Sequence, residues 1–267
     1  MKKNKIVNDK RKSGQAGQWF ENWFNSPYYH ILYKDRNDRE AEEFIDTLVH
    51  FLKPPKNARF LDLGCGKGRH SVYLNKKGFP VVGLDLSPES IEHALQFAHE
   101  SSNNMGSLEF FVQDMRKTGR INYYDYILNL FTSFGYFEKE NDDHATINAV
   151  SKALHPNGIF VLDFMNVQKV IANLVESETK ICGGIEFNIT RSVINNFIVK
   201  YIRFVDKGHQ YDFQERVKAL TITDFEKYFA ANKLKILHLR GNYKLEEFNP
   251  VTSDRLIIIA QKIVVSD

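Results

Sequence analysis

Cysteine is nearly missing from this sequence, with Cys65 and Cys182 the only two among 267 residues. That scarcity excludes a disulfide framework and a cysteine-built zinc cluster; no metal is expected, and the expected compartment is a reducing cytoplasm. Long apolar runs are missing too. No stretch approaches the roughly 18 residues a membrane span needs, and the lysines near the N-terminus are not followed by the apolar segment of a secretory leader. A soluble chain with no membrane partner is expected. Strong charge of one sign is also lacking, since 36 Lys and Arg against 33 Asp and Glu leave a formal net charge of +3. A nucleic-acid protein normally concentrates a basic face, so nucleic acid is not the expected partner. The sequence holds no internal repeat, and nothing in it specifies an oligomeric state.

What is present is a sizeable apolar fraction, 43% hydrophobic and 13% aromatic, enough for one α/β domain with an elaboration. Residues 1–18 carry Lys2, Lys3, Lys5, Lys10, Arg11 and Lys12 among polar residues and read as a mobile basic tail. Aromatics crowd into Trp19, Phe20, Trp23, Phe24, Tyr28, Tyr29 and Tyr33. A helical pattern at Phe44, Leu48, Val49 and Leu52 then stops at Pro54-Pro55, so 19–57 reads as an N-terminal helical cap.

From Arg59 strands and helices alternate. Strands are expected at 59–63, 81–85, 108–112, 124–130 and 159–164, with helices between the first three and again from Asn141 or Asp142 to Leu154. Ser87 followed by Pro88 is a helix start, and Ile91, Ala94, Leu95 and Ala98 form the apolar stripe of that helix. Such alternation implies a Rossmann-like, doubly wound, mostly parallel sheet over 58–165. After Phe164 the period changes. Ile185, Phe187 and Ile189 alternate with polar residues, Asn195-Asn196 suits a tight hairpin turn, and further runs follow at 197–205 and 211–218. The segment 166–220 therefore reads as an inserted antiparallel β meander. Thr223 and Glu226 suggest a capping box, and 221–267 supplies a closing helix and strands at 234–239 and 256–263.

The stretch Phe60-Leu61-Asp62-Leu63-Gly64-Cys65-Gly66-Lys67-Gly68-Arg69 is the most informative one. A strand runs into a turn whose glycines let the backbone take positive φ and approach a ligand closely. A dinucleotide fingerprint needs G-x-G-x-x-G, but its third glycine position is held by Arg69, which argues against NAD. Asp62 ahead of the turn would repel a pyrophosphate and suit a cationic group. The expected ligand carries positive charge.

On these residues the chain resembles the class I S-adenosylmethionine-dependent methyltransferases. Leu61 to Gly68 is similar to the family's first motif, and the order of the later motifs agrees. The resemblance implies S-adenosyl-L-methionine as cofactor, with Asp62, Gly64, Cys65 and Gly66 around it. It further implies Asp85 on the ribose hydroxyls with Leu86 beside it, and Asp114 on the adenine amino group with the Met115 amide meeting the ring. Asp125 to Phe131, including Asn129, resembles the motif beneath the methionyl part, and Tyr33 resembles an N-terminal tyrosine near the cofactor. The loop Leu154 to Gly158 resembles the one before the fifth strand.

Within that family the sequence narrows the acceptor. Asn129-Leu130-Phe131-Thr132 stands where nucleobase amino-methylating enzymes carry Asn/Asp-Pro-Pro-aromatic, and neither cysteine is placed as a cytosine-C5 nucleophile. The aromatic cap and the β insert look like those of small-molecule methyltransferases, including the sugar N-methyl and glycine N-methyl groups. The expectation is in-line methyl transfer to a nitrogen or oxygen of a small acceptor. The alternatives are a non-catalytic S-adenosylmethionine-binding scaffold and a tRNA- or rRNA-directed enzyme. Tyr28, Tyr29 and Tyr33 are expected either to line the acceptor pocket or to staple the cap to the core. Arg36 and Arg69 are candidates for a carboxylate, and Ser133, Phe134 and Tyr136 for the acceptor wall. No general base is singled out; His70, His144, His209 and Tyr28 are the weak candidates.

Overall fold

The structure is a computed structural model that describes residues 19–33, 38–101 and 106–264. The basic tail expected over 1–18 and Arg36 lie outside the described residues. The chain opens with α1 (Trp19–Phe24), α2 (Pro27–Leu32) and α3 (Asp38–Leu52). The alternating core follows as β1 (Phe60–Leu63), α4 (Arg69–Lys76), β2 (Val81–Asp85), α5 (Pro88–Ser101), β3 (Leu108–Val112), β4 (Tyr124–Asn129), α6 (Glu140–Ala153) and β5 (Leu154–Met165). After α7 (Val167–Ala172) come β6 (Ser177–Cys182), β7 (Ile185–Ile194), β8 (Phe197–Asp206) and β9 (His209–Lys218). The chain closes with α8 (Ile222–Ala231), β10 (Leu234–Arg240) and β11 (Arg255–Lys262).

The main sheet has the order β10-β11-β5-β4-β1-β2-β3. Strands β1 to β5 are mutually parallel, while β11 runs antiparallel to β5 and β10 antiparallel to β11. The order reverses between β1 and β4, which opens a crevice at the carboxyl edge where such sheets take their ligands. Both faces are covered, as the apolar runs of a parallel sheet require. Leu61 and Leu63 face one layer with Ile147, Val150 and Ala153 of α6 and Phe225 and Phe229 of α8. Phe60 faces the other with Leu74 of α4 and Phe44, Ile45 and Leu48 of α3.

Local starts follow the residue chemistry. The Ser87 hydroxyl accepts the Ser90 amide at 3.0 Å, as an N-cap should. At α8 the box sits two residues earlier than expected: Asp224 accepts the Thr221 amide and hydroxyl, both at 2.8 Å. Asp224 fills the role expected of Glu226 because the helix begins at Ile222. Helix α6 likewise opens at Glu140, its first turn holding Glu140, Asp142 and Asp143 against the positive end of the helix dipole.

The second sheet has four antiparallel strands, β6-β7-β8-β9, rather than the three expected. The additional strand β6 is an edge, bonded only to β7, and its sequence Ser-Glu-Thr-Lys-Ile-Cys has no apolar alternation to reveal it. Asn195 and Asn196 take φ of 49° and 61° in the two-residue turn between β7 and β8. The 19–57 segment also divides: α3 belongs to the flank of the main sheet, whereas α1 and α2 lie on the second sheet. Trp23 and Leu32 are buried there among Phe187, Ile189, Ile202 and Phe204. No helix among the described residues is long and apolar enough to cross a membrane.

A buried ion pair fastens this second sheet to the first. Lys218 of β9 reaches Asp143 of α6, with side chains 9% and 0% exposed. Burial raises the Asp143 carboxyl to about 6 against the opposing pull of Lys218. Replacing Lys218 by Ala would strand the carboxylate without a partner, so Lys218→Ala is expected to lower unfolding free energy by about 3–5 kcal/mol. Urea unfolding monitored by tryptophan fluorescence checks this; a loss below about 1 kcal/mol would show that Asp143 finds water instead.

Candidate active site

The glycine turn leaves β1 at the switch between β1 and β4. Gly64, Gly66 and Gly68 take φ of 77°, 53° and 78°. A Cβ on Gly64 would lie 2.8 Å from the Ser133 Cβ, so this glycine lets the turn meet the loop after β4. A Cβ on Gly66 would meet nothing within 4 Å, which marks the open side of the turn. The Gly64 and Cys65 amides both donate to the Leu84 carbonyl, at 2.7 and 3.0 Å, and hold the turn against β2.

Asp85 closes β2 with one oxygen accepting the Gly66 amide at 2.8 Å and the other the Ser87 amide at 2.9 Å. A carboxylate has about four acceptor sites, so two remain for a ligand's hydroxyls. Asp62 lies beneath the turn rather than on its open side. It is 1% exposed, accepts the Ser71 hydroxyl at 2.6 Å and is raised to about 6 by burial, with Ser71 pulling the other way. Cys65 is a buried thiol pushed well up by burial. Asn129 donates to the Leu63 carbonyl at 2.7 Å, and its Oδ1 is buried with no partner among the described residues.

The loop after β4 is strained and clamped. Phe131 and Thr132 take φ of 57° and 62°, a conformation that costs non-glycine residues about 1–3 kcal/mol each. Asp163 of β5, wholly buried, accepts the Phe131 amide at 2.8 Å while its carbonyl accepts the Thr132 amide at 3.0 Å. Arg255 of β11 donates to Asp163 at 2.7 Å and to the Thr132 hydroxyl at 2.8 Å. Tyr243 stacks on the Phe131 ring at 5.1 Å, and the Arg69 guanidinium lies 4.4 Å from that ring's centre. Asp163, Arg255 and Tyr243 carry no local sequence signal, because their partners lie more than 30 and up to 123 residues away.

The cap approaches from above. Asn25 Oδ1 accepts the Ser87 hydroxyl, and the rings of Trp19 and Phe24 lie 5.4 and 5.6 Å from Tyr136. His30 of α2 is lowered to about 4 by burial and by the positive charge of Lys67 and His93. Neither Asn25 nor His30 stands in a recognisable motif.

The other expected residues have different neighbours. Asp114, at the end of β3, is engaged by Arg116 through Nε at 3.0 and 3.1 Å and Nη2 at 2.5 Å. Met115 packs against the main core, and Leu86, half-buried, follows Asp85. Tyr33 donates to Glu215 at 2.7 Å, with Lys200 4.7 Å from its ring centre, so it faces the second sheet. Tyr28 does too: it donates to Asp206 at 2.8 Å and packs on Phe204 and Tyr211. His70 is pressed 5.0 Å from the Phe131 ring and pushed down to about 3 by burial and by Arg69, which keeps it neutral. His144 sits edge-on to Tyr228 on α8, and His209 is exposed at the β8–β9 turn. The structure thus gathers Asp62, Gly64, Gly66, Asp85 and Asn129 at one edge and does not gather the four weak base candidates.

The arrangement fits S-adenosylmethionine. Its open side and its free acceptor sites on Asp85 and Asn129 suit hydroxyls and an ammonium, and the buried Asp62 adds negative potential beneath a cation. Because the folded Asp62 holds its proton up to about pH 6, its contribution to stability is complete below about pH 3.8 and is lost as pH rises through about 6. The melting temperature of Asp62→Asn relative to the unmodified chain should therefore rise from about pH 4 to about pH 7. A pH-independent difference, read by differential scanning fluorimetry, would show an unperturbed carboxyl.

The sequence profile of the methyltransferase domain family matches residues 54–227, more than half of the chain. YqeM of Bacillus subtilis, itself only provisionally named a methyltransferase, is 36% identical over 117 residues, covering 43% of this chain and 46% of that protein. The glycine/sarcosine N-methyltransferase of Halorhodospira halochloris is 30% identical over 136 residues, half of each chain. The chain thus spans about half the length of these curated relatives. The crystal structure of an S-adenosylmethionine-dependent methyltransferase from Clostridium acetobutylicum superposes with a TM-score of 0.74 at 20% identity, covering 89% of this chain and 96% of that one. That likeness extends the agreement in fold to both sheets. With the motif order, the strand order and the profile match in accord, this chain belongs to the methyltransferase domain family, among the class I S-adenosylmethionine-dependent methyltransferases.

Proposed function

We propose that this protein transfers a methyl group from S-adenosylmethionine to a small-molecule acceptor, by in-line attack of an acceptor nitrogen or oxygen on the methyl carbon. The carrying observation is the cradle of Gly64, Gly66, Asp85 and Asn129 at the carboxyl edge, roofed by a cap and an antiparallel sheet. The bound cofactor supplies a methyl group made electrophilic by its positively charged sulfur.

The chain's own residues hold, orient and exclude water. Asp85 and Leu86 take the ribose side, Asp114 and Met115 the adenine, and Asn129, above Asp62, the methionyl end. Gly64, Cys65 and Gly66 furnish the backbone between them. Orientation of two reactants in a dry site supplies most of what a methyl transfer asks of a protein. Of the 19–57 segment α1 and α2 act as the cap, the 166–220 segment acts as the lid, and the acceptor enters between α1 and the loop after β4. Rings of Trp19, Phe24 and Tyr136 meet there. Aromatic faces attract the positive charge that a nitrogen acquires on methylation. The relative named for glycine and sarcosine, both amines, favours nitrogen as well. Two free thiols support action in the cytoplasm.

The direct experiment incubates the protein with S-adenosylmethionine and a panel of amino acids, amino sugars and hydroxylated analogues, measuring S-adenosylhomocysteine by mass spectrometry. Turnover of an amine is the expected result; cofactor binding with no turnover across the panel would favour the scaffold reading. Asp85→Ala is expected to weaken S-adenosylhomocysteine binding by about 1–3 kcal/mol in calorimetry, the usual loss for a charged hydrogen-bonding partner. Unchanged affinity would remove Asp85 from the ribose site.

A further inference from the structure

We propose that Arg116 is a positioning residue of the adenine subsite, fixing the Asp114 carboxylate so that one acceptor site is left for one N–H of the base. The proposal rests on the assignment of Asp114 to the adenine amino group and adds to it a residue with no part in the sequence motif.

Three hydrogens meet the carboxylate. Oδ1 accepts the Arg116 amide at 2.8 Å, the Arg116 Nε hydrogen is shared between Oδ1 at 3.0 Å and Oδ2 at 3.1 Å, and Nη2 reaches Oδ2 at 2.5 Å. Of about four acceptor sites on a carboxylate, one remains. Without the fork only the Arg116 backbone amide would restrain the carboxylate, since this terminal torsion is broad and roughly two-fold. The guanidinium cannot turn with it. Its far nitrogen Nη1 is held by Asp142 of α6 at 2.7 Å, and its Cζ lies 4.7 Å from the Phe137 ring centre. Burial works to raise the Asp114 carboxyl, but the Arg116 bonds prevail and hold it below its ordinary value, ionised and able only to accept. A base offering an N–H at this point is taken, and one offering only C–H leaves the last site unmade. Lysine cannot substitute, because an ammonium is a point charge and does not fork.

The test compares S-adenosylhomocysteine with its 6-deamino purine analogue, which differs by the amino group alone, in calorimetric titrations of the full chain. The unmodified protein should bind the analogue about tenfold more weakly or worse. In Arg116→Gln and in Arg116→Lys the preference should fall below about threefold, with affinity for the analogue itself kept within about twofold. A purely structural role would weaken both ligands together and keep their ratio, and that result overturns the proposal, as does full preference in the lysine variant. Should Arg116→Gln fail to fold by circular dichroism, Asp142→Ala, which removes the acceptor of Nη1 alone, must still reduce the ratio; an unreduced ratio overturns the proposal. An unmodified protein that binds neither compound refutes the cofactor assignment instead.

Discussion

The ion pair between Asp163 and Arg255 is the constraint on which the site depends. It joins the last parallel strand to the antiparallel strand beside it, and the loop after β4 hangs from it. That loop holds two consecutive non-glycine residues at positive φ, which only over-determined surroundings maintain. The Phe131 amide, the Thr132 amide and the Thr132 hydroxyl all end on the two partners. A buried pair of this kind is weak evidence of stability, because desolvation offsets much of the attraction. Its effect here is placement: it brings the Ser133 side chain against Gly64, an approach open only because the glycine has no side chain. The cradle therefore rests on a residue 92 positions from its partner, in a strand added to the sheet last.

The legibility of the sequence follows the range of the interactions. Parallel strands covered on both faces show as apolar runs, helices between them show as stripes, and Ser87 marks a helix start by its own hydroxyl. The glycine turn and Asp85 are readable for the same reason, each acting within a few residues or at a predictable strand end. Strand β6 escaped because an edge takes backbone bonds from one side only and needs little apolar surface. The box at Thr221 was displaced by two residues because Thr223 and Glu226 offer the same spacing as Thr221 and Asp224. Arg116 and Asp163 were beyond reach, since their meaning lies in which strand ends the sheet brings together.

The aromatic segment at the N-terminus shows the same limit. Its rings were legible as apolar mass, with two readings open, lining a pocket or stapling a cap. The structure divides them. Trp23, Tyr28 and Tyr33 pack or bond across to the second sheet, while Trp19, Phe20 and Phe24 meet Tyr136 beside the cradle. One short segment thus makes both a structural seam and a wall of the site. Composition cannot distinguish these roles, because both need large side chains of limited rotameric freedom.

That seam has a consequence for how the chain is made. Trp23 bonds Glu215, 192 residues later, and Tyr28 bonds Asp206, 178 residues later. Synthesis runs from the N-terminus, so this aromatic cluster leaves the ribosome well before its partners on β8 and β9, and loop closure over such distances is slow. Until β8 and β9 are made, Trp19 to Tyr33 remains an uncovered apolar ribbon, the form of nascent chain that chaperones hold and proteases cut. The same docking then makes the N-terminal segment a completion mark: it is sheltered only once β8 and β9 exist, so a chain truncated before the insert would expose it.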